Sequence, residues 1–166
     1  MQKSVNTDKT AETGCAGKYL TFFLADEVYG VPILKVQEII GIKELTKVPK
    51  VPQYIKGVLN LRGKVIPVID LRLKFDIKEK EDTRSTSIII FQIQKNNSQV
   101  IAGVKVDSVS EVVDIKENNI EPTPTLGMQE AEEFVTGMAK INDTVHMLID
   151  IDCILNTAAI FNIAEQ

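Results

Sequence analysis

Few residues in this chain could do chemistry, and they do not gather. The single histidine, His146, sits in the apolar run Thr144–Ile149 with no cysteine or carboxylate at ligand spacing, which reads as a structural histidine rather than a metal ligand. Asp70 and Asp150 each stand where an aliphatic run gives way to Leu71-Arg72-Leu73 or Ile151-Asp152-Cys153. A carboxylate there accepts hydrogen bonds from the free N–H groups of a helix start, so capping is the expected role. A catalytic acid–base pair is the sharper alternative, and it needs both groups in one site. Asn60-Leu61-Arg62-Gly63-Lys64 contains a Gly-Lys pair but neither the upstream glycine nor the Ser/Thr of a phosphate-binding loop, so it reads as a turn. Cys15 lies in a loose polar segment and Cys153 in the apolar run Ile151–Leu155, and no structural disulfide is expected. No nucleophile has a base within sequence reach. The expectation is a protein without catalysis, metal or cofactor.

Arg62 stands out against that background. A tight hairpin tip favours Asn, Asp or Gly, yet a guanidinium occupies this one, either solvated or reaching a carboxylate or an interface. Glu38 and Glu111 likewise read as solvated faces or as parts of binding patches. The 166 residues are 44% hydrophobic and 25% charged, an ordinary globular balance, and the formal net charge of -4 lacks the basic excess that a phosphate backbone attracts. With 5% aromatics and no tryptophan, stacking platforms for single strands are missing too, so no nucleic-acid partner is expected. Residues 1–17 are small and polar and read as a disordered tail without the apolar core of a secretory signal. No run has membrane-spanning length. A cytoplasmic protein with no direct membrane insertion is expected.

What positions these residues is a duplication. Gly30–Pro49 realigns with Gly103–Pro122 without a gap, matching Gly30/Gly103, Val31/Val104, Val36/Val109, Glu38/Glu111, Ile42/Ile115, Lys43/Lys116, Glu44/Glu117 and Pro49/Pro122. Gly57–Asp70 realigns with Gly137–Asp150, matching Gly57/Gly137, Val65/Val145, Ile69/Ile149 and Asp70/Asp150. The longer linker Thr123–Glu133, against Lys50–Gln53, takes up the difference in spacing. Tyr19–Leu24 and Val28–Ile33 read as a hairpin through Ala25-Asp26-Glu27. Leu34–Ile40 reads as one or two helical turns after Pro32, with Glu38 on their polar side and Glu111 in the matching place, and Ile42–Val48 as extended chain. Gly57–Leu61 and Lys64–Ile69 read as a second hairpin with Arg62-Gly63 at its tip, and Asn142-Asp143 is the aligned tip. The second copy opens with Ser87–Gln94 and Gln99–Val106 around Lys95-Asn96-Asn97-Ser98, and Asp152–Ala164 shows helical spacing. About five short strands per copy are too few to cover both faces of an open sheet, and closure into a small barrel removes the edges. The expected fold is all-β: two five-stranded barrels side by side, lobe one about 18–80 and lobe two about 85–155, with short helical turns and a C-terminal helical segment at 156–166.

Ile33-Leu34-Lys35-Val36-Gln37-Glu38-Ile39, Ile55-Lys56-Gly57-Val58-Leu59-Asn60-Leu61-Arg62-Gly63 and Val65-Ile66-Pro67-Val68-Ile69-Asp70-Leu71-Arg72 resemble, in order and spacing, the CheW-type chemotaxis coupling proteins. The resemblance spans about Tyr19–Leu155. It implies that the barrels are SH3-like and that the protein is an adaptor with no catalysis of its own. Its implied partners are the cytoplasmic tip of methyl-accepting chemoreceptors and the regulatory domain of the histidine kinase CheA, in arrays at the membrane. It implies further that the receptor's helical hairpin seats in a groove between the barrels. Val36, Glu38, Ile39 and Arg62 would line one wall, and Gly103, Val109 and Val112 the other. Kinase contact would fall to Lys56, Gly57, Asn60 and Val65 on the first barrel's end, and to Glu121 and Leu126 on the second. Gly57 and Gly103 serve either contact or close strand packing; Val36, Val109 and Val112 serve either interface or core. Ile120-Glu121-Pro122-Thr123-Pro124 keeps a Pro-x-Pro frame of the family with an acidic Glu121, which implies a basic residue opposite it on the kinase. Rival readings are a coupling module of another chemosensory pathway and a small-ligand-binding double-barrel protein, which needs a pocket of convergent polar groups.

Overall fold

A computed structural model describes residues 16–95, 97–121 and 134–164 of the chain. The strands are β1 Gly17–Leu24, β2 Glu27–Pro32, β3 Val36–Gly41, β4 Ile55–Leu61, β5 Lys64–Asp70, β6 Ser87–Lys95, β7 Ser98–Val106, β8 Ser108–Ile115, β9 Ile120–Glu121, β10 Val135–Ile141 and β11 Thr144–Ile149. Among the described residues three short helices accompany them: α1 Leu71–Lys74, α2 Ile151–Leu155 and α3 Ala158–Ala164. The expected all-β pair of small SH3-like barrels is present, as one five-stranded and one six-stranded sheet. The sixth strand is β9, which pairs with β10 through Ile120 and Glu121. Its counterpart in the first copy is a lone bridge between Thr46 and Val58, so Ile42–Val48, expected to be extended, forms no strand.

Neither sheet belongs to one copy of the repeat. The strand orders are β8-β1-β2-β11-β10-β9 and β3-β6-β7-β5-β4. Each sheet therefore takes its opening hairpin from one copy and its other strands from the other. Contiguous lobes at about 18–80 and 85–155 do not describe this arrangement, because the lobes have exchanged hairpins. The two junctions are parallel pairs at repeat-equivalent residues, Gly30 beside Leu148 and Gly103 beside Val68.

Side-chain alternation then builds three cores. Along β6, Ile88 and Ile90 point into the five-stranded barrel with Leu59, Ile66 and Val68. Ile89, Phe91 and Ile93 point the other way, into a larger core between the barrels. Leu20, Phe22 and Val31 meet them from the six-stranded sheet, and Ile154, Leu155 and Phe161 close that core from α2 and α3. The third core, inside the six-stranded barrel, is small: Tyr19, Ile115, Ala139 and Leu148. A strand buried on both faces must be continuously apolar, which accounts for the unbroken run Ile88–Phe91.

The helical turns expected at Leu34–Ile40 reduce to one 3₁₀ turn, Ile33–Lys35, followed by β3. Val36, Ile39 and Ile40 fit a helix stripe and a pleated strand alike in so short a window, and pairing with β6 satisfies the backbone, so the β-branched residues take the strand. Glu111 likewise lies on a strand, β8. The C-terminal helix is two pieces, because Thr157 starts α3 anew: its Oγ1 accepts from the Ile160 N–H at 3.2 Å.

Candidate functional site

The β4–β5 hairpin turns in two residues, and both Arg62 and Gly63 have positive φ, +51° and +85°. That is the geometry such a tip requires and one that an arginine adopts with strain. Asn60 supports it, its Oδ1 accepting from the Gly63 N–H at 3.0 Å. The exposed Arg62 guanidinium pairs with the Glu38 carboxylate on β3, so the tip is tied to the opposite margin of the five-stranded sheet. The hydrogen bond and charge of Glu38 raise the Arg62 pKa above its ordinary value. Beside this pair opens a groove of about 230 Å³ lined by Gln37, Leu61, Arg62, Lys64, Ile66 and Ile101. Since Ile66 belongs to the barrel's inner core, the groove is the mouth of that barrel.

Large aliphatic side chains stand in solvent near that end and at the matching places of the other barrel. Ile39 is 43% exposed and its repeat partner Val112 49%; Val65 is 47% exposed and its partner Val145 45%. Four exposed aliphatics in two equivalent pairs mean that both barrels present the same kind of contact surface. Val36 and Val109 differ from them. Both are half-buried against the core between the barrels, opposite Phe91 and Phe22 respectively.

The expected groups are partly rearranged. Gly103 lines no groove wall: it is buried in β7, where a Cβ would come within 2.9 Å of Ile88 Cγ2 and 3.2 Å of Val68 Cγ2, so it serves close packing. Gly57 is buried with φ +150°, and a Cβ there would lie 2.4 Å from the Thr46 carbonyl oxygen. The four residues expected on one barrel end divide between the two ends of β4. Asn60 and Val65 face each other across the hairpin beside Arg62. Lys56 lies four residues back, about 13 Å away at strand rise, where it pairs with Glu79. Glu121 is exposed on β9 opposite Met138, and Leu126 lies outside the described residues, as do Cys15, Pro122 and Pro124.

His146 is buried opposite Ala139, with Nδ1 3.3 Å from the Thr144 carbonyl oxygen, a structural place. Asp70 and Asp150 cap α1 and α2, accepting from the Arg72 N–H at 3.0 Å and the Asp152 N–H at 3.1 Å. They end strands of different sheets and do not share a site. Among the described residues no cluster of His, Cys, Asp or Glu is arranged to hold a metal, and no helix is long and apolar enough to cross a membrane.

Two contacts that tie the framework of the site together had no sequence signal. Arg72 forms a bidentate pair with Asp107 at 2.7 Å through both Nε and Nη2, and the two side chains are only 13% and 14% exposed. Asp107 also accepts from the Ala25 N–H at 2.8 Å, so one carboxylate ties the five-stranded sheet to the β1–β2 turn of the six-stranded one. Burial pushes the Asp107 carboxyl upward, but the Arg72 and Ala25 hydrogen bonds outweigh it and hold its pKa below the ordinary value. The second is Thr21, whose Oγ1 donates to the Glu111 carbonyl at 2.7 Å and accepts from the Glu111 N–H at 3.1 Å, sealing a bulge between β1 and β8.

Known proteins share this architecture. Residues 18–159 match the CheW-like domain family. The chain is 36% identical over 152 residues to the chemotaxis protein CheW of Klebsiella aerogenes, covering 90% of this chain and 89% of that one. It is 35% identical over 138 residues to the chemotaxis protein CheW of Helicobacter pylori, covering 83% and 81%. Among solved structures, the scaffolding protein TtCheW from Thermoanaerobacter tengcongensis matches with a TM-score of 0.75 at 37% identity, covering 87% of this chain and 95% of that chain.

Proposed function

The chain belongs to the CheW-like domain family, and from that premise we propose that this chemotaxis scaffold is a non-catalytic adaptor joining the cytoplasmic tip of chemoreceptors to the regulatory domain of the histidine kinase CheA. The observation that carries the reading is the end of the five-stranded barrel: an exposed Arg62–Glu38 pair, the exposed aliphatics Ile39 and Val65, and an open groove. This is contact chemistry. Aliphatic side chains supply area on desolvation, and a guanidinium held by a neighbouring carboxylate is already oriented for a partner's polar groups.

Val112 and Val145 give the six-stranded barrel a comparable end, so one molecule can hold two partners at once. Each contact is small, and the strength of the assembly comes from many weak contacts made together in an array at the membrane. Ile39, with Glu38 and the edges of Val36 and Val109, takes the receptor hairpin. Asn60 and Val65 at the tip, and Glu121 on β9, take the kinase, Glu121 against a basic residue.

The test is a pull-down of the purified protein with a CheA regulatory domain and a receptor cytoplasmic fragment, separately and together. The protein binds both; Ile39→Asp loses the receptor and keeps the kinase; Arg62→Ala stays folded and loses coupling. Failure of the folded protein to bind either partner removes the adaptor reading.

A further inference from the structure

The same helix cap occurs twice in this fold, and only one of the two is roofed. Asp150 is half-exposed, whereas Asp70 is 2% exposed and its Oδ2 has no hydrogen-bond partner. The roof is the segment between the two copies. Lys80, Glu81 and Asp82 share with Asp70 and Lys105 a cavity of about 10 Å³, room for one water molecule. Besides Arg72, which Asp107 holds, two cations are within electrostatic reach of Asp70: Lys105, beside it in the β5–β7 pair, and Lys56. Both are occupied, Lys56 by Glu79 and Lys105 by Asp82, and both acids belong to the roof. Arg72 Nη1 adds a hydrogen bond to the Lys78 carbonyl at 2.8 Å. Burial accordingly lifts the Asp70 pKa above its ordinary value despite the two lysines.

We infer that residues Lys78–Asp82 are an electrostatic latch that closes over Asp70 by drawing Lys56 and Lys105 to Glu79 and Asp82, leaving one buried water on Asp70 Oδ2. When the latch opens, the lysines turn back to Asp70. Opening exchanges ion pairs with half-exposed acids, which contribute little, for pairs with the carboxylate that the closed state leaves without a partner.

Trypsin reads the open state at Lys78 and Lys80, because both lie in the stretch that the contacts of Lys78, Glu79 and Asp82 hold down. Asp70→Asn keeps a capping oxygen but removes the charge that competes for the lysines. Cleavage after Lys78 and Lys80 in the folded protein slows several-fold in this variant, while Asp150→Asn, at the unroofed cap, leaves the rate unchanged. Equal or faster cleavage in Asp70→Asn overturns the latch. Independently, Glu79→Gln with Asp82→Asn frees both lysines, and the carboxyl titration of Asp70, followed by carbon NMR, moves to lower pH. An Asp70 midpoint that does not move in that double variant overturns it equally.

Discussion

The two barrels fill equivalent interiors with different chemistry. Where the five-stranded barrel holds Leu59, Ile66, Val68, Ile88 and Ile90, the six-stranded barrel holds Ala139, His146, Leu148, Tyr19 and Thr21 in the matching places. Their outer positions are alike, with exposed aliphatics at Ile39 and Val112 and at Val65 and Val145. Two copies can therefore share a surface without sharing a core, provided each polar newcomer inside finds a partner. Thr21 finds the Glu111 backbone and His146 lies against the Thr144 carbonyl. The wholly aliphatic interior underlies the Arg62 tip and the groove, so the more elaborate contact surface stands on the less polar barrel.

The largest effect is expected from exchanging those interiors. Ile66→His puts an imidazole into an otherwise aliphatic core and costs about 3 kcal/mol, whereas His146→Ile changes stability by less than about 1 kcal/mol. Urea unfolding measures both, and equal costs would erase the distinction. Next come the paired glycines. Gly57→Ala drives a Cβ onto the Thr46 carbonyl at positive φ and costs about 2 kcal/mol. Gly137, whose nearest neighbour is the side-chain tip Ile120 Cγ2 at 3.2 Å, tolerates alanine at under about 1 kcal/mol.

A smaller effect separates two carboxylates by pH. The Asp107 pKa is lowered in the fold, so its contribution is complete above the unfolded value of about 4 and is lost as pH falls through the folded one. Asp107→Asn costs about 1.5 kcal/mol at neutral pH, and the difference from the unmutated protein closes in acid. Asp70 runs the other way: its pKa is raised by burial, so its charge disfavours folding at neutral pH and that cost fades on acidification. Thermal melts across pH therefore show Asp70→Asn gaining, relative to the unmutated protein, as pH rises. The smallest stability effect belongs to Arg62→Asn. Asparagine suits the positive φ that arginine holds under strain, and the exposed pair with Glu38 contributes little. The melting temperature holds or rises while coupling falls, and a loss of both would make Arg62 a folding residue.

Much of the fold was legible because duplication doubled each signal. The β4–β5 and β10–β11 hairpins could be read from turn residues and alternation, and the two aspartates from the ends of aliphatic runs. β3 was misread as helical because six residues with three β-branched members fit either period. The exchange of hairpins was invisible for a different reason: which copy's β2 lies beside which copy's final strand leaves no local trace when both copies offer the same pattern. At the candidate site, Arg62 was legible as a breach of turn chemistry. Its partner Glu38 was legible only as a charge, and Gly103 only as a match to Gly30, since burial depends on the sheet that surrounds it. Asp107 gave no signal, because its partner is 35 residues away and on another element.

The exchanged hairpins also set the order of events during synthesis. As the first copy leaves the ribosome, β1 and β2 have only each other, for their further neighbours β8 and β11 are not yet made. β3 and β5 wait in the same way for β6 and β7. A lone two-stranded hairpin is marginal in water, so the emerging half stays open, its aliphatic runs exposed, until the second half is translated. Folding is then a late event governed by distant pairings, slow for a chain of this size, and the period of greatest need for chaperones is translation itself.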